Sequence, residues 1–411
     1  MPNAHSDKIQ AFILEKAASF AEQKVEPLQR PFWQGLAKVG TELWLDTGDI
    51  DAAAKLWNAS FCGLTTNNTL LNAEIQKGIY DNLIAEAGKM LASLDEQSRI
   101  AEIAFILNAL HGLRLANRFG AKVSVELHTE FAYDADTTVA YAQRFYAICP
   151  QSFIIKIPLT QAGLIATRAV REKGIPVNFT LGFSARQNYI AALFAKPSYV
   201  NVFLGRLNSY IADNGLGDGK LIGEKATLAS QKAITEASEA NREPTRQIAA
   251  SMRDANQVAD LCGVDVYTMP VKVADAAQNQ LDGSWTTKRD ADYQVSLGDG
   301  IDRKELGIEK LWTITDKERA FAQSIEHDVP ASAYDLTERL YAMEIEDIFP
   351  RMMSNEIWVL ANQGKIPKHE TWAPRIAQQD LAIDSLLNLA ALESFTADQK
   401  ALDTRIGRLL G

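Results

Sequence analysis

Residues 153–181 read FIIKIPLTQAGLIATRAVREKGIPVNFTL. A short apolar, β-rich run (FIIKIP, 153–158) leads into a segment with Ala, Leu and charged residues at helical spacing, and a second β-rich run (VNFTL, 177–181) follows. A strand, a helix and another strand in this order indicate parallel strands joined by a crossover helix.

The same alternation of short apolar runs and longer helical stretches begins near residue 43 and ends near residue 281. Eight strands separated by helices predict an α/β protein, built as a closed (β/α)8 TIM barrel over residues 43–282. A doubly wound open sheet is the alternative, although no Gly-rich nucleotide-binding fingerprint follows the first run. The runs are LWLD (43–46), FCGLTT (61–66), VSVEL (123–127), FIIKIP (153–158), VNFTL (177–181), YVNVFL (199–204), IAASM (248–252) and VDVYTM (264–269).

Helical segments are expected on both sides of the barrel. In residues 1–42, Ser6 followed by DKIQAFILEKAASFAEQ predicts a capped N-terminal helix. Residues 283–411 are rich in helix-forming residues and tryptophan, which predicts a helical C-terminal extension. Because an apolar face must be buried, this extension should pack on the flank or rim of the barrel. It would shape access to the site, form a subunit contact or act only as a structural buttress.

The bulk composition excludes several classes of protein. Of the 411 residues, 47% are hydrophobic and 23% are charged, which is a normal globular balance. The net charge of −10 and the lack of a Lys/Arg-rich run argue against a nucleic-acid partner. The N-terminus is too charged for a signal peptide and no apolar run reaches transmembrane length. We therefore expect a soluble cytoplasmic protein with no membrane partner.

The cysteines and histidines form no recognisable motif. Three cysteines without close spacing, at positions 62, 149 and 262, argue against a disulfide framework and against a zinc site. The five histidines are scattered and show no metal-ligand spacing. We therefore expect neither a metal nor a cofactor.

Polar residues alternate with apolar ones within several of the runs. Ser124 and Glu126 share one face of the third run, and Asn178 and Thr180 share one face of the fifth. The outer face of a barrel packs on helices and must be apolar, so the polar faces should point inward. Most of these residues lie at the C-terminal ends of the runs, where barrel active sites form. Polar faces on five runs therefore predict one shared polar site.

Lys156 lies in the middle of an apolar strand, which is a costly position for a charge. Burial favours the neutral amine, and a neutral amine is the nucleophile that attacks a carbonyl carbon to form an iminium. By itself, Lys156 could equally extend to solvent or pair with a buried carboxylate.

Two carboxylates accompany this lysine on the predicted inner face. A Schiff-base enzyme needs one acid to shuttle protons at the imine carbon and one base for the hydroxyl beside the bond that breaks. Asp46 and Glu126 fit these two tasks. The alternatives are that Asp46 caps the helix beginning near Asp49 and that Glu126 only pairs with Lys156.

An ordered set of segments over residues 43–277 resembles the transaldolase family. The final stretch, FTADQKALDTRI (395–406), is also similar to the C-terminal helix of that family. The other matching segments are LWLDTGDI (43–50), GLTTNNTLL (63–71), VSVEL (123–127), IIKIPLTQAGLIA (154–166), GIPVNFTLGFS (174–184), YVNVFLGR (199–206) and ASMR (250–253).

The resemblance implies a Schiff-base mechanism. Lys156 would form the imine with a ketose, and Asp46 would deprotonate the C4 hydroxyl so that the C3–C4 bond breaks. Glu126 would act as acid and base through a water molecule held with Thr180. The expected catalytic residues are Lys156, Glu126, Asp46 and Thr180.

The resemblance also implies how substrate is bound. Asn67 and Asn178 would hydrogen-bond the three-carbon unit. Arg206 and Arg253 match the phosphate-binding arginines, whose planar, permanently charged guanidinium groups suit phosphate oxygens. The expected substrate-binding residues are Asn67, Asn178, Asn201, Phe203, Arg206, Ser251 and Arg253. The expected partners are sugar phosphates, and a homodimer stays an open alternative.

The sequence departs from the family pattern at a few positions. Asn68 replaces a usual Pro, and Asn201-Val202 replaces a usual Ser-Pro whose serine helps to hold substrate. Phe203 stands where the related aldolases carry Tyr, which favours transfer over simple cleavage. The expected function is transfer of dihydroxyacetone from a ketose phosphate to an aldose phosphate, in the pentose phosphate pathway. The alternatives are an aldolase that cleaves a ketose without transfer and a non-catalytic sugar-phosphate-binding protein.

Overall fold

The chain forms a closed barrel of eight parallel strands, which neighbour each other in their order along the sequence. The computed structural model describes residues 5–411. The strands are β1 (Glu42–Asp46), β2 (Phe61–Thr65), β3 (Lys122–Glu126), β4 (Phe153–Pro158), β5 (Val177–Thr180), β6 (Tyr199–Phe203), β7 (Arg246–Ala250) and β8 (Val266–Pro270). Strand β8 pairs with β1 and closes the sheet. The predicted (β/α)8 TIM barrel is confirmed.

Helices cover the outside of the barrel and connect its strands. The outward strand residues are apolar and fully buried, as Val125 and Ile155 illustrate. Gly112 lets one helix approach β3 closely, because a Cβ there would lie 2.7 Å from Val125. The helices are α3 (Ile50–Leu56), α4 (Asn68–Gln76), α5 (Asp81–Met90), α6 (Glu96–Phe119), α7 (Ala135–Ile148), α8 (Gln161–Glu172), α9 (Ala185–Phe194), α10 (Leu204–Asp213), α11 (Ile222–Ser238), α12 (Asn256–Asp260) and α13 (Val271–Gln280), with a 3-10 helix at Thr129–Tyr133.

An aromatic layer fills the barrel beneath its polar end. The rings of Trp44 and Tyr199 lie 5.0 Å apart between centroids. Gly63 leaves room for this indole, since a Cβ there would lie 2.6 Å from it. Nearer the N-terminal ends of the strands, Glu42 accepts a hydrogen bond from the indole N–H and pairs with Arg246. This packing leaves the C-terminal ends of the strands as the place for a site.

Five strands end one or two residues earlier than the sequence pattern predicts, and β5 and β7 do so at a left-handed residue. Strand β5 ends at Thr180 and β7 ends at Ala250, whereas runs through residues 181 and 252 were expected. The next residues, Leu181 and Ser251, have φ values of 69° and 63°. This left-handed backbone interrupts the extended chain, and it is uncommon for residues other than glycine. The extended conformation therefore ends with the strand in both places, and Ser251 and Arg253 both line the cavity described below.

Two helices precede the barrel. They are α1 (Ser6–Ser19), which buries Ile9 and Ile13 and packs on α6, and α2 (Pro31–Lys38). The predicted helix is confirmed, but the predicted cap at Ser6 is wrong. Ser6 is itself the first helical residue, and His5 precedes it without a side-chain capping bond.

The C-terminal part of the chain returns to the barrel at several places. Helix α15 packs on α9, α16 packs on α8, and α19 packs on α4, α5 and α6. These elements are α14 (Arg303–Leu306), α15 (Asp316–His327), α16 (Ala333–Ala342), α17 (Ser354–Gln363), α18 (His369–Ala377) and α19 (Ile383–Leu410), with 3-10 helices at Ile308–Leu311 and Glu346–Ile348.

A buried arginine joins this C-terminal part to the barrel. The Arg186 side chain in α9 is 1% exposed and makes a two-pronged contact with Asp384, with both N–O distances at 2.8 Å. Its third nitrogen lies 2.9 Å from Glu318 and 2.9 Å from Asp347. Lys310 supplies a second cation to Asp347. Burying the two cations without the three carboxylates, or the reverse, would leave unpaired charges in the interior. The cluster therefore favours one way of packing the C-terminal part on the barrel.

Replacing Arg186 by methionine is therefore expected to destabilise the fold. The change leaves three carboxylates buried with one lysine, and breaking a buried pair in this way costs about 3–5 kcal/mol. Urea unfolding should show a clearly lower midpoint. Lys317→Met on α15 is the control, because its pair with Glu344 is exposed and should leave the midpoint unchanged. Equal midpoints for the two variants would show that the cluster adds no stability.

Candidate active site

A cavity of about 180 Å³ opens at the C-terminal ends of the strands. Of the eleven residues predicted for the site, nine line this cavity: Asp46, Asn67, Lys156, Asn178, Asn201, Phe203, Arg206, Ser251 and Arg253. The other two, Glu126 and Thr180, are buried beside it at the ends of β3 and β5. The sheet register aligns Glu126 with Lys156, and Lys156 with Asn178. The predicted residues therefore come together at one end of the barrel.

Lys156 extends from β4 into the centre of the site and is 4% exposed. Its Nζ donates a hydrogen bond to the Thr66 carbonyl oxygen at 3.1 Å and lies 3.7 Å from the Glu126 Oε1 atom. The distance from the same nitrogen to the centroid of the Phe395 ring is 5.6 Å. The amine is thus fixed in place and largely shielded from bulk water.

Glu126 is 2% exposed and makes one hydrogen bond and one ion pair. Its Oε2 atom accepts a hydrogen bond from the Asn68 backbone N–H at 3.1 Å, and its Oε1 atom faces Lys156. Burial raises the pKa of the Glu126 carboxyl, and the charge of Lys156 and the Asn68 N–H partly offset that rise. Asn68 stands where the resemblance leads one to expect Pro, and a proline has no N–H with which to make this bond.

Thr180 completes the group around the lysine. Its Oγ1 atom is buried and has no hydrogen-bond partner among residues 5–411. A buried hydroxyl normally finds a partner in protein, water or ligand, so this oxygen is available to bind one of the latter two.

Asp46 lies at the end of β1 and lines the cavity near Lys156. Its Oδ1 atom accepts a hydrogen bond from the Thr65 hydroxyl at 2.6 Å, and this hydroxyl is 2.6 Å from that of Thr268. Burial raises the pKa of the Asp46 carboxyl, while the charge of Lys156 and the Thr65 hydroxyl act in the opposite direction. The helix cap considered for Asp46 is instead provided by Asp49, whose side chain accepts from the Ala52 N–H.

The amide side chains of the site are already partly engaged. The Asn67 Oδ1 atom caps α4 by accepting from the Leu70 N–H at 2.8 Å, which leaves its Nδ2 group for a ligand. Asn178 donates to the Ser124 hydroxyl at 3.0 Å and accepts from Asn201 at 3.2 Å. This network fixes the orientation of both amides at the cavity wall.

The two predicted phosphate-binding arginines differ in exposure. Arg206 is 5% exposed, and its Nη1 atom has no hydrogen-bond partner among residues 5–411. Burial and the neighbouring charge of Arg253 lower the pKa of Arg206 to about 10. Arg253 is exposed at the cavity rim, beside the left-handed Ser251. A buried cation with an unpaired N–H donor, as in Arg206, is costly unless an anion binds there.

Sequence reasoning missed several residues of the cavity. Thr268 occupies an inner strand position beside Thr65, so the alternation of faces could have indicated it. Phe395, Lys272 and Lys365 line the cavity from outside the strands. No pattern in the sequence could have indicated these three, because they depend on how distant helices pack.

Helix α19 covers the mouth of the barrel. The Asn388 side chain donates to the Leu159 and Leu181 carbonyl oxygens in the loops after β4 and β5. Further along the helix, Asp398 pairs with the Thr69 hydroxyl of α4. These bonds position Phe395 between them, directly over the lysine.

The histidines of the described residues do not suggest a metal. Within residues 5–411, no group of three or more His, Cys, Asp or Glu side chains is arranged to hold a metal ion. Buried His111 bonds to the Tyr80 hydroxyl and to the Gly48 carbonyl oxygen, each at 2.8 Å, and burial lowers its pKa to about 4.

Among residues 5–411, no helix is both long and apolar enough to cross a membrane.

These features define an α/β-barrel protein with a buried lysine paired with one carboxylate, and a second carboxylate in the same cavity, at the C-terminal ends of its strands. The model for the family "Transaldolase/Fructose-6-phosphate aldolase" matches residues 43–326, and the chain belongs to this family. The resemblance inferred from the sequence is thus confirmed, and the match extends beyond residue 277.

Named relatives agree with this assignment. A "Probable transaldolase" of Thermus thermophilus is 34% identical over 233 residues, which cover 56% of this chain and 86% of that protein. A "Transaldolase" of Xanthomonas euvesicatoria is 27% identical over 287 residues, which cover 65% of this chain and 87% of that protein. The chain is therefore similar to enzymes of this family over nearly their whole length.

Proposed function

We propose that this protein transfers a dihydroxyacetone unit from a ketose phosphate to an aldose phosphate through a Schiff base on Lys156. The observation that carries the proposal is the pairing of this buried amine with Glu126 at 3.7 Å, while Asp46 lines the same cavity. We assign the reaction to the sugar-phosphate interconversions of the pentose phosphate pathway and place it in the cytoplasm.

The first half of the proposed reaction forms the imine. The Lys156 amine attacks the ketose carbonyl carbon and gives a carbinolamine, whose hydroxyl leaves as water after protonation. Glu126 supplies that proton through a water molecule held with the free Thr180 hydroxyl. A carboxyl whose pKa burial has raised is suited to this task, because it holds a proton more readily than an exposed carboxyl does and can still release it.

The second half breaks and forms the carbon–carbon bond. Asp46 removes the proton of the C4 hydroxyl, the C3–C4 bond breaks, and its electron pair passes to the iminium to give a neutral enamine. The aldose phosphate leaves with the new carbonyl group. An acceptor aldehyde then adds to the enamine carbon, Asp46 returns the proton, and hydrolysis of the imine frees Lys156.

A transferase must keep water away from the enamine until the acceptor arrives. The rings of Phe395 and Phe203 line the cavity, and α19 lies across its mouth. This enclosure favours transfer over the aldolase alternative, in which a proton from water ends the reaction.

Borohydride trapping with and without an acceptor tests the proposal. Reduction in the presence of fructose 6-phosphate should add a ketose-derived or three-carbon mass to the peptide that contains Lys156. Product analysis should show a new ketose phosphate only when an aldose phosphate is present. Release of free dihydroxyacetone without an acceptor would support the aldolase alternative. The absence of an adduct with any ketose would contradict the Schiff base and support a non-catalytic sugar-phosphate-binding protein.

We expect the two arginines to contribute to the binding of phosphorylated substrates. Arg206→Ala and Arg253→Ala should each raise KM for a phosphorylated donor by about 10-fold or more, since a charge-assisted bond is worth roughly 1.5–3 kcal/mol. Steady-state kinetics with dihydroxyacetone as the donor should change little, because this donor carries no phosphate.

Arg242→Ala is the control for these variants, because Arg242 is exposed and lies outside the cavity. It should leave KM unchanged for both donors. Equal losses for phosphorylated and unphosphorylated donors in the Arg206 and Arg253 variants would mean that these side chains do not bind phosphate.

A further inference from the structure

The cavity carries more positive charge than the two arginines supply. Lys272 and Lys365 also line it, and neither they nor Arg206 and Arg253 form an ion pair with any of residues 5–411. The carboxylate whose charge acts on Arg206 is Asp398, which is engaged with a threonine hydroxyl. Four cations that form no ion pair with any of residues 5–411 therefore line one cavity.

The position of Lys272 is unfavourable for the isolated helix. It lies in the first turn of α13, where the N-terminal end of the helix dipole repels a cation and no acidic residue is present. Residues that violate a local preference in this way occur where function requires them. A bound anion would offset both the dipole and the lysine charge.

Lys365 belongs to the loop between α17 and α18 and not to the barrel. Asn214, the residue that follows α10, fixes this loop by donating to the Pro367 carbonyl oxygen at 3.1 Å and accepting from the His369 N–H at 2.8 Å. The opposite end of α10 carries Arg206 in its first turn. One helix thus positions both the buried arginine and the loop that carries Lys365.

We propose that Lys365 is a specificity-determining residue that binds the phosphate group of the substrate together with Arg206, Arg253 and Lys272. The inference rests on the proposed function and assigns a task to the C-terminal part of the chain. The two guanidinium groups bind phosphate oxygens directionally, whereas the lysines act as point charges. Lys365 is exposed at the cavity, so it adds its charge to a phosphate that the arginines bind.

Calorimetric titration with inorganic phosphate tests this assignment without requiring turnover. Lys365→Met should weaken phosphate binding by about 3- to 10-fold, since solvent and salt partly screen an exposed charge. Lys365→Arg should keep affinity close to that of the wild type. Lys368→Met is the matched control, because this lysine is exposed in the same loop but does not line the cavity.

Kinetics provide a second readout. Lys365→Met should raise KM for a phosphorylated donor by the same factor, while KM for dihydroxyacetone and the Lys156 adduct remain unchanged. Phosphate affinity equal to that of the wild type, or an equal loss in Lys368→Met, would overturn the assignment. If the wild type gives no adduct with any ketose, the proposed function fails, whereas the phosphate titration still decides the role of Lys365.

Discussion

Replacing Lys156 by methionine is expected to abolish the reaction, with kcat lowered by at least about 10⁴-fold, as for other enzymes that lose their covalent nucleophile. The methionine fills a similar volume but has no amine, so neither the carbinolamine nor the imine can form. Mass spectrometry after borohydride reduction should find the ketose-derived adduct on the wild-type protein and none on the variant.

The matched control is Lys173→Met, which changes an exposed lysine at the end of α8, the helix that follows β4. This variant should keep both the adduct and full turnover. Urea unfolding of Lys156→Met separates loss of chemistry from loss of fold, because the variant leaves Glu126 without its cation. A folded Lys156→Met protein that still turns over, or that still forms an adduct elsewhere, would remove this lysine from the mechanism.

The barrel could be predicted from the sequence because its physics is local and repetitive. Each strand alternates between an outer face that packs on helices and an inner face, so runs such as VSVEL (123–127) indicate both a strand and its orientation. The ends of β5 and β7 were missed because Leu181 and Ser251 adopt left-handed backbone without being glycine. Such strain is imposed by tertiary contacts and has no signature in the local sequence.

The centre of the site could be predicted for a related reason. Parallel strands bring their C-terminal ends to one edge, so Asp46, Glu126 and Lys156 had to lie close together once the barrel was assumed. Phe395 and Lys365 could not be placed in this way. Their positions follow from the packing of helices far along the chain, which depends on contacts such as the Arg186 cluster. Those contacts join residues that no sequence period connects.

Replacing Glu126 by glutamine is expected to lower kcat by about 10²–10⁴-fold, the usual contribution of a general acid–base. The amide oxygen can still accept the Asn68 N–H, so the fold and the position of the side chain should persist. KM for the donor should change much less, because Glu126 is proposed to act through water. The dependence of kcat on pH should lose the limb that reports the carboxyl whose pKa burial raises.

Glu224→Gln is the matched control for Glu126→Gln, because it replaces another buried carboxyl with an amide. Glu224 is also 2% exposed, and burial also raises the pKa of its carboxyl, but it accepts hydrogen bonds from Asn208 and Gln257 away from the cavity. This variant should keep its turnover and its pH profile. If both variants lose activity equally, burial of a carboxyl and not proton transfer explains the loss. If Glu126→Gln keeps full turnover, Glu126 serves only as the counterion of Lys156, and the proton must travel through Asp46.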